Sequence, residues 1–236
     1  MATIVICHGA WGGGWSWRKV RRALAARGHD VLTPTLTGLG ERATLLSRDT
    51  GLTTHIEDLL AVLFYEDLRD VYLVGHSYGG MVVTGVADRA PERIARIVYL
   101  DAFVPEDGQS VLEFHSPEAR QRIRDAVRLQ GEGWLMPPGP LAPDVAPEEA
   151  SWLAARRMPQ PLKTFEEPIR LSGAAARLPR TYIYCTVKAP GDVFIPFATR
   201  ARTGAGWTYF DLDSGHTPNN TMPDRLAALL ELVVRA

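Results

Sequence analysis

Short apolar runs rich in β-branched residues recur along the chain, and amphipathic stretches with helical spacing separate them. The predicted strands TIVIC, DVLTPT, DVYLVG, RIVYLDA, TYIYCT and WTYFDLD lie at residues 3–7, 30–35, 70–75, 96–102, 181–186 and 207–213. The predicted helices include residues 17–27, 55–65, 81–89 and 223–235. Parallel strands need crossover connections of this kind, and strands buried on both faces are almost continuously apolar. We therefore predict an α/β fold, with a mostly parallel sheet of about six strands flanked by helices.

Residues 105–178 interrupt this alternation. The segment holds most of the chain's 17 prolines and only short helical patterns, near 118–129 and 148–157. Its aromatic and methionine side chains are too apolar to be left in water. We interpret the segment as an inserted helical lid, or cap, over the edge of an α/β core formed by residues 1–104 and 179–236.

The composition excludes several classes of function. The 26 Lys+Arg and 27 Asp+Glu residues give a formal net charge of -1, which provides no field for gathering nucleic acid or an anionic membrane. No signal peptide or membrane span is recognisable, so we expect a cytoplasmic protein. Cys7 and Cys185 lie in strand-like runs and the six histidines lack metal-ligand spacing, so no metal or cofactor is predicted. We expect a small-molecule partner, and a homodimer through the lid or edge helices is left open.

Ser77 lies between two glycines in the stretch GHSYG, which follows one predicted strand and begins the next helix. A serine in such a strand–turn–helix is typical of a nucleophile, because the strained turn leaves no room for side chains on either side. A serine hydroxyl is a weak nucleophile and needs a base, together with a carboxylate that orients the base. A glycine turn with an unreactive serine is the less favoured interpretation in this context.

His216 is the candidate base, since it lies in the loop DLDSGHTPNN after the last predicted strand. Asp192, in KAPGDVFIP after the penultimate strand, is the preferred acid, because the order Ser77, Asp192, His216 is the chain order that this type of site follows. Asp101, at the end of IVYLD, is the second candidate. It follows the strand next to the helix that Ser77 begins, and a carboxylate there also reaches the loop of the base.

The oxyanion that develops during attack on a carbonyl needs backbone N–H donors. Tyr78 supplies one donor as the residue after the nucleophile, and Ala10 in CHGAWGGGW supplies the second, since Gly9 allows the chain to approach closely. The competing interpretation of this glycine cluster is a phosphate-binding loop. It fails because neither G-x-G-x-x-G nor G-x-x-x-x-G-K-[ST] occurs there.

These motifs together resemble the α/β-hydrolase fold superfamily, in the group of plant methylesterases, hydroxynitrile lyases, bacterial esterases and pyrethroid hydrolases. The resemblance covers nearly the whole chain, through HGAWGGGWSW at 8–17, VGHSYGGM at 74–81, YLDAFVPEDG at 99–108, DVFIP at 192–196 and SGH at 214–216. It implies a nucleophile, acid and base at Ser77, Asp192 and His216 and oxyanion donors at Ala10 and Tyr78. This implication adds weight to the choice of Asp192.

The activity implied by the resemblance is hydrolysis of a carboxylic ester of a hydrophobic small molecule through an acyl-enzyme. Hydroxynitrile lyases of one type have a threonine where this chain has Gly9 and a lysine where it has Thr217, so both lyase markers are absent. Other reactions of the same triad, namely cyanohydrin cleavage, lactone opening and biosynthetic cyclisation, stay as alternatives. A non-catalytic small-molecule receptor on the hydrolase fold is a further alternative.

The substrate pocket is expected to be apolar, because the aromatic residues near the motifs and in the lid need cover from water. Its candidate lining residues are Trp11, Phe103, Trp134, Trp152 and Phe194. Each of them is equally compatible with packing in the core. Asn219 and Asn220, which follow the candidate base, have no assigned role.

Overall fold

The computed structural model describes residues 1–141, 144–188 and 191–235. The strands are β1 (Thr3–Cys7), β2 (Asp30–Leu32), β3 (Val71–His76), β4 (Ile94–Leu100), β5 (Leu135–Met136), β6 (Gln160–Pro161), β7 (Arg180–Cys185) and β8 (Trp207–Leu212). The helices are α1 (Arg18–Ala25), α2 (Leu52–Tyr65), α3 (Gly79–Arg89), α4 (Pro117–Gln130), α5 (Pro147–Ala154), α6 (Lys163–Glu166), α7 (Ile195–Thr203), α8 (Pro218–Thr221) and α9 (Pro223–Arg235). No described helix has both the length and the apolar character needed to cross a membrane.

Six of these strands form one sheet in the order β2-β1-β3-β4-β7-β8, and every neighbouring pair in it is parallel. They correspond to the six predicted strands, so the prediction of a mostly parallel α/β sheet is confirmed. The edge strand β2 is shorter than the predicted 30–35 and ends at Leu32. Pro34 follows closely, and a proline has no N–H to donate to a neighbouring strand.

Two layers of apolar side chains cover the two faces of the sheet. Successive residues of β1 alternate between them, with Ile4 and Ile6 in the layer under α1 and α9, and Val5 and Cys7 in the layer under α2 and α3. Cys7 is a free thiol, as is Cys185 in the opposite layer. Burial raises the pKa of both thiols, so each acts as a small core side chain.

The inserted segment (residues 105–178) lies between β4 and β7 and contains α4, α5 and α6 together with a two-stranded antiparallel sheet of β5 and β6. Its buried apolar side chains join the same layer as those of α2 and α3; among them are Val111, Val127, Phe165 and Ile169. These four side chains are thus withdrawn from water against the sheet domain, whereas Leu129 on α4 stays exposed. The division of the chain at residues 104 and 178 stays a prediction.

Asp88, near the end of α3, anchors the end of the inserted segment. Its carboxylate accepts hydrogen bonds from the backbone N–H groups of Ser172 (2.5 Å), Gly173 (3.0 Å) and Ala175 (3.1 Å). Burial alone would raise the pKa of Asp88, but these hydrogen bonds outweigh burial and hold the pKa below its ordinary value. The ionised carboxylate therefore fixes the chain where it returns to β7.

We expect Asp88→Asn to lower the free energy of unfolding by about 1–3 kcal/mol, because an amide oxygen is a weaker acceptor and its NH₂ group faces backbone donors. Urea unfolding at neutral pH measures this difference. Asp125→Asn is the matched control, since Asp125 is solvated on α4 and its carboxylate bonds to side chains of the same helix, Gln121 and Arg128. Equal losses in the two variants would contradict the anchoring role.

Candidate active site

The loops that follow β1, β3, β4 and β8 meet at the carboxyl edge of the sheet. His76 at the end of β3 pairs with Leu100 at the end of β4, so Ser77 and Asp101 begin neighbouring loops. The N–H of Ser77 donates to the carbonyl of Leu100 (3.3 Å), and the N–H of Asp101 donates to the carbonyl of Ile183 (2.8 Å). The carboxyl edge of a parallel sheet is where α/β proteins place their ligands.

Ser77 occupies a tight turn between β3 and α3, with a φ of 55°. A Cβ on Gly75 would lie 2.6 Å from Val83 Cγ2, and one on Gly79 would lie 2.6 Å from the carbonyl oxygen of Cys7. These positions accept only glycine because α3 begins directly against the strands. The predicted strand–turn–helix is therefore present, and its turn holds Ser77 in the left-handed region, where a non-glycine residue is strained.

His216 follows β8 and is held by a carboxylate from another strand. Its Nδ1 lies 2.6 Å from Oδ2 of Asp101, whose side chain is completely buried. The N–H of Cys185 also donates to Asp101 Oδ1 (3.3 Å). With Nδ1 donating to a carboxylate, Nε2 is the ring nitrogen left to act as a base.

The structure does not bring Asp192, the preferred acid of the sequence analysis, into contact with His216. Oδ2 of Asp192 accepts the hydroxyl of Tyr184 (2.8 Å), and its Oδ1 accepts the N–H of Phe194 (3.0 Å) just before α7. Asp192 thus fixes the start of α7 instead of contacting His216. Chain order did not discriminate between the two candidates, because β4 and β7 are neighbours and both of their ends reach the loop after β8.

Lys188 is a member of the site that the sequence analysis did not identify. Its Nζ lies 2.5 and 2.7 Å from the two oxygens of Asp101 and 3.5 Å from Oδ1 of Asp192. Burial alone would raise the pKa of Asp101, but the hydrogen bonds and charges of His216 and Lys188 hold it below its ordinary value. The ammonium group of Lys188 thus offsets the charge of the buried Asp101 carboxylate. Among the described residues there is no cluster of three potential metal ligands.

Two aromatic rings contact the imidazole of His216. Phe194 stacks on it at 5.0 Å between ring centroids, and the ring of His76 lies at 4.7 Å. Nε2 of His76 donates to the backbone carbonyl of His216 (2.7 Å). Burial lowers the pKa of His76 to about 3. The neutral imidazole of His76, at the end of β3, therefore supports the loop that contains His216.

The loop after β1 packs directly against the turn of Ser77, because a Cβ on Gly9 would lie 3.1 Å from Ser77 Cβ. Nε2 of His8 accepts the N–H of Leu36 (3.1 Å), so its Nδ1 carries the proton and donates to the carbonyl of Gly9 (2.8 Å). The N–H and C=O of a trans peptide point in opposite directions, so this bond turns the N–H of Ala10 away from His8. In the described part of the chain, the N–H groups of Ala10 and Tyr78 have no acceptor.

The side chain of Tyr78 points away from Ser77 and into a buried network. Its hydroxyl donates to Nδ1 of His55 (2.9 Å), because Nε2 of His55 donates to the carbonyl of Thr37 (3.0 Å). The phenol ring stacks on Phe165 of the inserted segment, with centroids 5.5 Å apart and planes 5° from parallel. Tyr78 can therefore offer only its backbone N–H to a ligand at Ser77.

The five candidate pocket residues divide into two groups. Phe194 lies on His216, and Phe103 packs beside Phe194 with centroids 5.0 Å apart. Trp11 directly follows Ala10 and packs toward Phe165. By contrast, Trp152 lies between the guanidinium groups of Arg18 and Arg156, and Trp134 lies under that of Arg48. The contacts of Trp152 with Arg18 and of Trp134 with Arg48 join the inserted segment to the α/β core, and no contact places either ring beside His216.

Asn219 and Asn220 are both buried on α8, the short helix after His216. Nδ2 of Asn219 donates to the backbone carbonyl of Ser16 (3.2 Å). This bond connects the helix after the base to the segment that precedes α1. The structure shows no contact that explains Asn220.

Comparisons with known proteins agree with this fold and site. The model of the alpha/beta hydrolase family matches residues 4–229. The chain therefore belongs to the alpha/beta hydrolase family.

Among its relatives is the carbendazim hydrolyzing esterase of Nocardioides sp. (strain SG-4G), which is 41% identical over 98% of both chains. Salicylic acid-binding protein 2 of Nicotiana tabacum is 37% identical over 56% of this chain and 48% of its own length. An extracellular alpha/beta-hydrolase from a Paenibacillus species superposes with a TM-score of 0.86, at 25% identity and 98% coverage of both chains. These matches confirm the predictions of an α/β-hydrolase fold and of an enzyme that hydrolyses carboxylic esters.

The contacts of His216 predict that Asp101 and Asp192 differ sharply in their effect on activity. We expect Asp101→Asn to lower kcat by about 10³–10⁴-fold, because an amide in place of the carboxylate favours the wrong tautomer of the base. Asp192→Asn should stay within about tenfold of the parent, since it loses only contacts to Tyr184 and the start of α7. Steady-state hydrolysis of a nitrophenyl ester measures both variants, and the reverse order would restore Asp192 as the acid.

The buried histidines predict that the free energy of unfolding decreases when the pH is lowered below neutrality. Burial lowers the pKa of His8 and His55 to about 4 and that of His76 to about 3, against an ordinary value of about 6.5. The unfolded chain therefore binds more protons than the folded one below pH of about 6.5, so the free energy of unfolding decreases as pH falls toward about 4.

Urea unfolding at a series of pH values tests this dependence. His55→Gln keeps a donor and an acceptor but cannot titrate, so we expect lower stability than the parent at pH of about 7.5 and a weaker loss on acidification. A pH dependence identical to that of the parent would show that the pKa of His55 does not change on folding, which would contradict this prediction.

Proposed function

We propose that Ser77, His216 and Asp101 are the nucleophile, base and orienting acid of a serine esterase. The observation that carries this proposal is the 2.6 Å contact between Nδ1 of His216 and the buried carboxylate of Asp101, at the sheet edge where Ser77 lies in its strained turn. A carboxylate, an imidazole with a free Nε2 and a serine at a helix start form the set that acyl transfer requires.

In the first half of the reaction, Ser77 Oγ bonds to the ester carbonyl carbon while its proton passes to Nε2 of His216. The negative charge on the former carbonyl oxygen is bound by the N–H groups of Ala10 and Tyr78. When the carbon–oxygen bond to the alcohol breaks, His216 returns the proton to the leaving oxygen. Water then attacks the acyl-serine with His216 as base again, which releases the acid and restores the Ser77 hydroxyl.

Asp101 stays ionised throughout and holds the tautomer in which Nδ1 of His216 carries the proton. Its charge stabilises the imidazolium that forms in each half-reaction. Lys188 binds both oxygens of the same carboxylate and balances its charge.

The substrate that fits this site is a small, uncharged ester with a flat or apolar group. Phe103, Phe114, Phe194 and Phe197 pack together beside His216, with ring centroids 5.0 to 6.0 Å apart. The esterase from Nocardioides is named for hydrolysing carbendazim. We therefore propose methyl esters and methyl carbamates of small aromatic compounds as the substrate class. A cytoplasmic location and a homodimer stay predictions; the similar Paenibacillus protein is described as extracellular.

Ser77→Ala tests the assignment of the nucleophile. We expect the variant to lose about 10⁴-fold or more of kcat on nitrophenyl acetate and on a methyl benzoate, because the only other hydroxyl in this turn, that of Tyr78, is bonded to His55 in the buried network. A fluorophosphonate should label the parent at one site per chain and leave Ser77→Ala unlabelled. Intact ester hydrolysis by the purified variant would overturn the proposal.

Ser151→Ala is the matched control, since Ser151 is exposed on α5 and its hydroxyl bonds within that helix. It should retain the activity and the labelling of the parent.

Mandelonitrile and a lactone panel distinguish the alternative reactions of the same triad. Cleavage of mandelonitrile at a rate above that of the esters would favour a lyase, and absence of both labelling and turnover would favour a receptor.

A further inference from the structure

Trp11, the residue after Ala10, is held in an unfavourable backbone conformation. Its φ is 61°, in the left-handed region that costs a residue with a side chain about 1–3 kcal/mol. A conformation of this kind persists only where the surroundings fix it. The loop after β1 therefore needs partners that hold Trp11 in place.

All hydrogen bonds that Trp11 forms within the described residues go to the inserted segment. Its backbone N–H donates to Oε1 of Gln160 (3.0 Å), and its carbonyl accepts the N–H of Met158 (3.4 Å). Its indole Nε1 donates to the carbonyl of Met136 (3.1 Å). Residues of β5, of β6 and of the chain just before β6 thus bind three separate groups of one loop residue.

Gln160 is the buried centre of this contact. Its side chain is inaccessible to solvent, and its Nε2 donates to the hydroxyl of Thr164 (2.8 Å). That hydroxyl in turn donates to the carbonyl of Pro161 (2.7 Å). Because the amide NH₂ has this acceptor, the amide oxygen faces the N–H of Trp11.

The two peptide groups that flank Ala10 are therefore bound from opposite sides. His8 in the sheet domain binds the carbonyl of the Gly9–Ala10 peptide, and Gln160 in the inserted segment binds the N–H of the Ala10–Trp11 peptide. With both peptide planes fixed, the direction of the N–H of Ala10 is determined. The catalytic value of such a donor depends on its being oriented before the reaction begins.

We propose that Gln160 is a positioning residue through which the inserted segment completes the oxyanion hole. This inference rests on the proposed function, in which the N–H of Ala10 binds the oxyanion. Gln160 does not touch the substrate. It holds Trp11 in its left-handed conformation. The fixed position of Trp11 in turn fixes the direction of the N–H of Ala10. The segment over the site thereby contributes to the stabilisation of the transition state.

Gln160→Met tests the inference, since methionine fills the same volume without an acceptor. We expect kcat to fall by about 10- to 100-fold with KM within about threefold of the parent. Removing an oxyanion-hole donor lowers kcat by about 10²–10³-fold, and displacing the donor should cost less than removing it. The inhibition constant of a trifluoromethyl ketone, which forms an oxyanion on serine, should rise by the same factor as kcat/KM falls. Gln160→Glu keeps an acceptor oxygen and should retain most of the parent's kcat.

Gln109→Met is the matched control, because Gln109 lies in the same segment and its amide oxygen accepts only the nearby N–H of Glu106. It should leave kcat and the inhibition constant unchanged. Thr164→Val removes the acceptor of the Gln160 amide and should lower kcat in the same direction by a smaller factor. This second variant carries the test if Gln160→Met unfolds, and circular dichroism of each variant establishes folding.

Unchanged kcat and unchanged ketone affinity in folded Gln160→Met and Thr164→Val would overturn the inference. So would a rise in KM with kcat preserved, which would mean that the glutamine acts in substrate binding. Either result leaves the proposed function intact, provided that the parent is labelled at Ser77 and loses activity in Ser77→Ala. Failure of that labelling would instead count against the proposed function.

Discussion

The parallel register between β3 and its neighbours is the constraint on which the site depends. Because His76 pairs with Leu100, the chain leaves both strands at the same level, and Ser77 and Asp101 begin adjacent loops. The loop after β8 reaches across the intervening β7 to bring His216 against Asp101. An antiparallel neighbour would have carried one of these groups to the opposite edge of the sheet. The chemistry is thus assembled by backbone pairing that contains no catalytic group.

Three residues in the loops after β1, β3 and β4 have strained backbone conformations. Trp11, Ser77 and Asp101 all have positive φ values although none of them is glycine. Each is held by hydrogen bonds from another part of the chain, so the rest of the structure offsets the local cost. In the proposed mechanism the benefit is orientation: a serine exposed on a turn, a carboxylate directed at an imidazole, and a peptide N–H facing the place where charge develops.

Buried charge is balanced locally in this site. Removing a carboxylate such as Asp101 from water is costly unless opposite charges and donors surround it. His216, Lys188 and the N–H of Cys185 supply these donors, and the neighbouring His76 is kept neutral by burial. His216 therefore has an ionised carboxylate on one side and a neutral ring on another.

The fold and the turn that contains Ser77 could be predicted from the amino-acid sequence alone. Strand and helix periodicity, and glycines placed where helix and strand meet, are local properties that can be read along the chain. The loops that contain His216, Ala10 and Tyr78 were located in the same way, because each directly follows a predicted strand.

The contact of Asp101 with His216, and the contacts of Lys188 and Gln160, came from the three-dimensional packing alone. Two carboxylates at the ends of neighbouring strands are equivalent in a linear pattern, and the choice between them depends on which side chain is buried against the imidazole. Lys188 contacts a residue 87 positions away and Gln160 one 149 positions away. Contacts at such separations are set by the packing of the inserted segment and of the loop after β7, for which the amino-acid pattern carries no local signal.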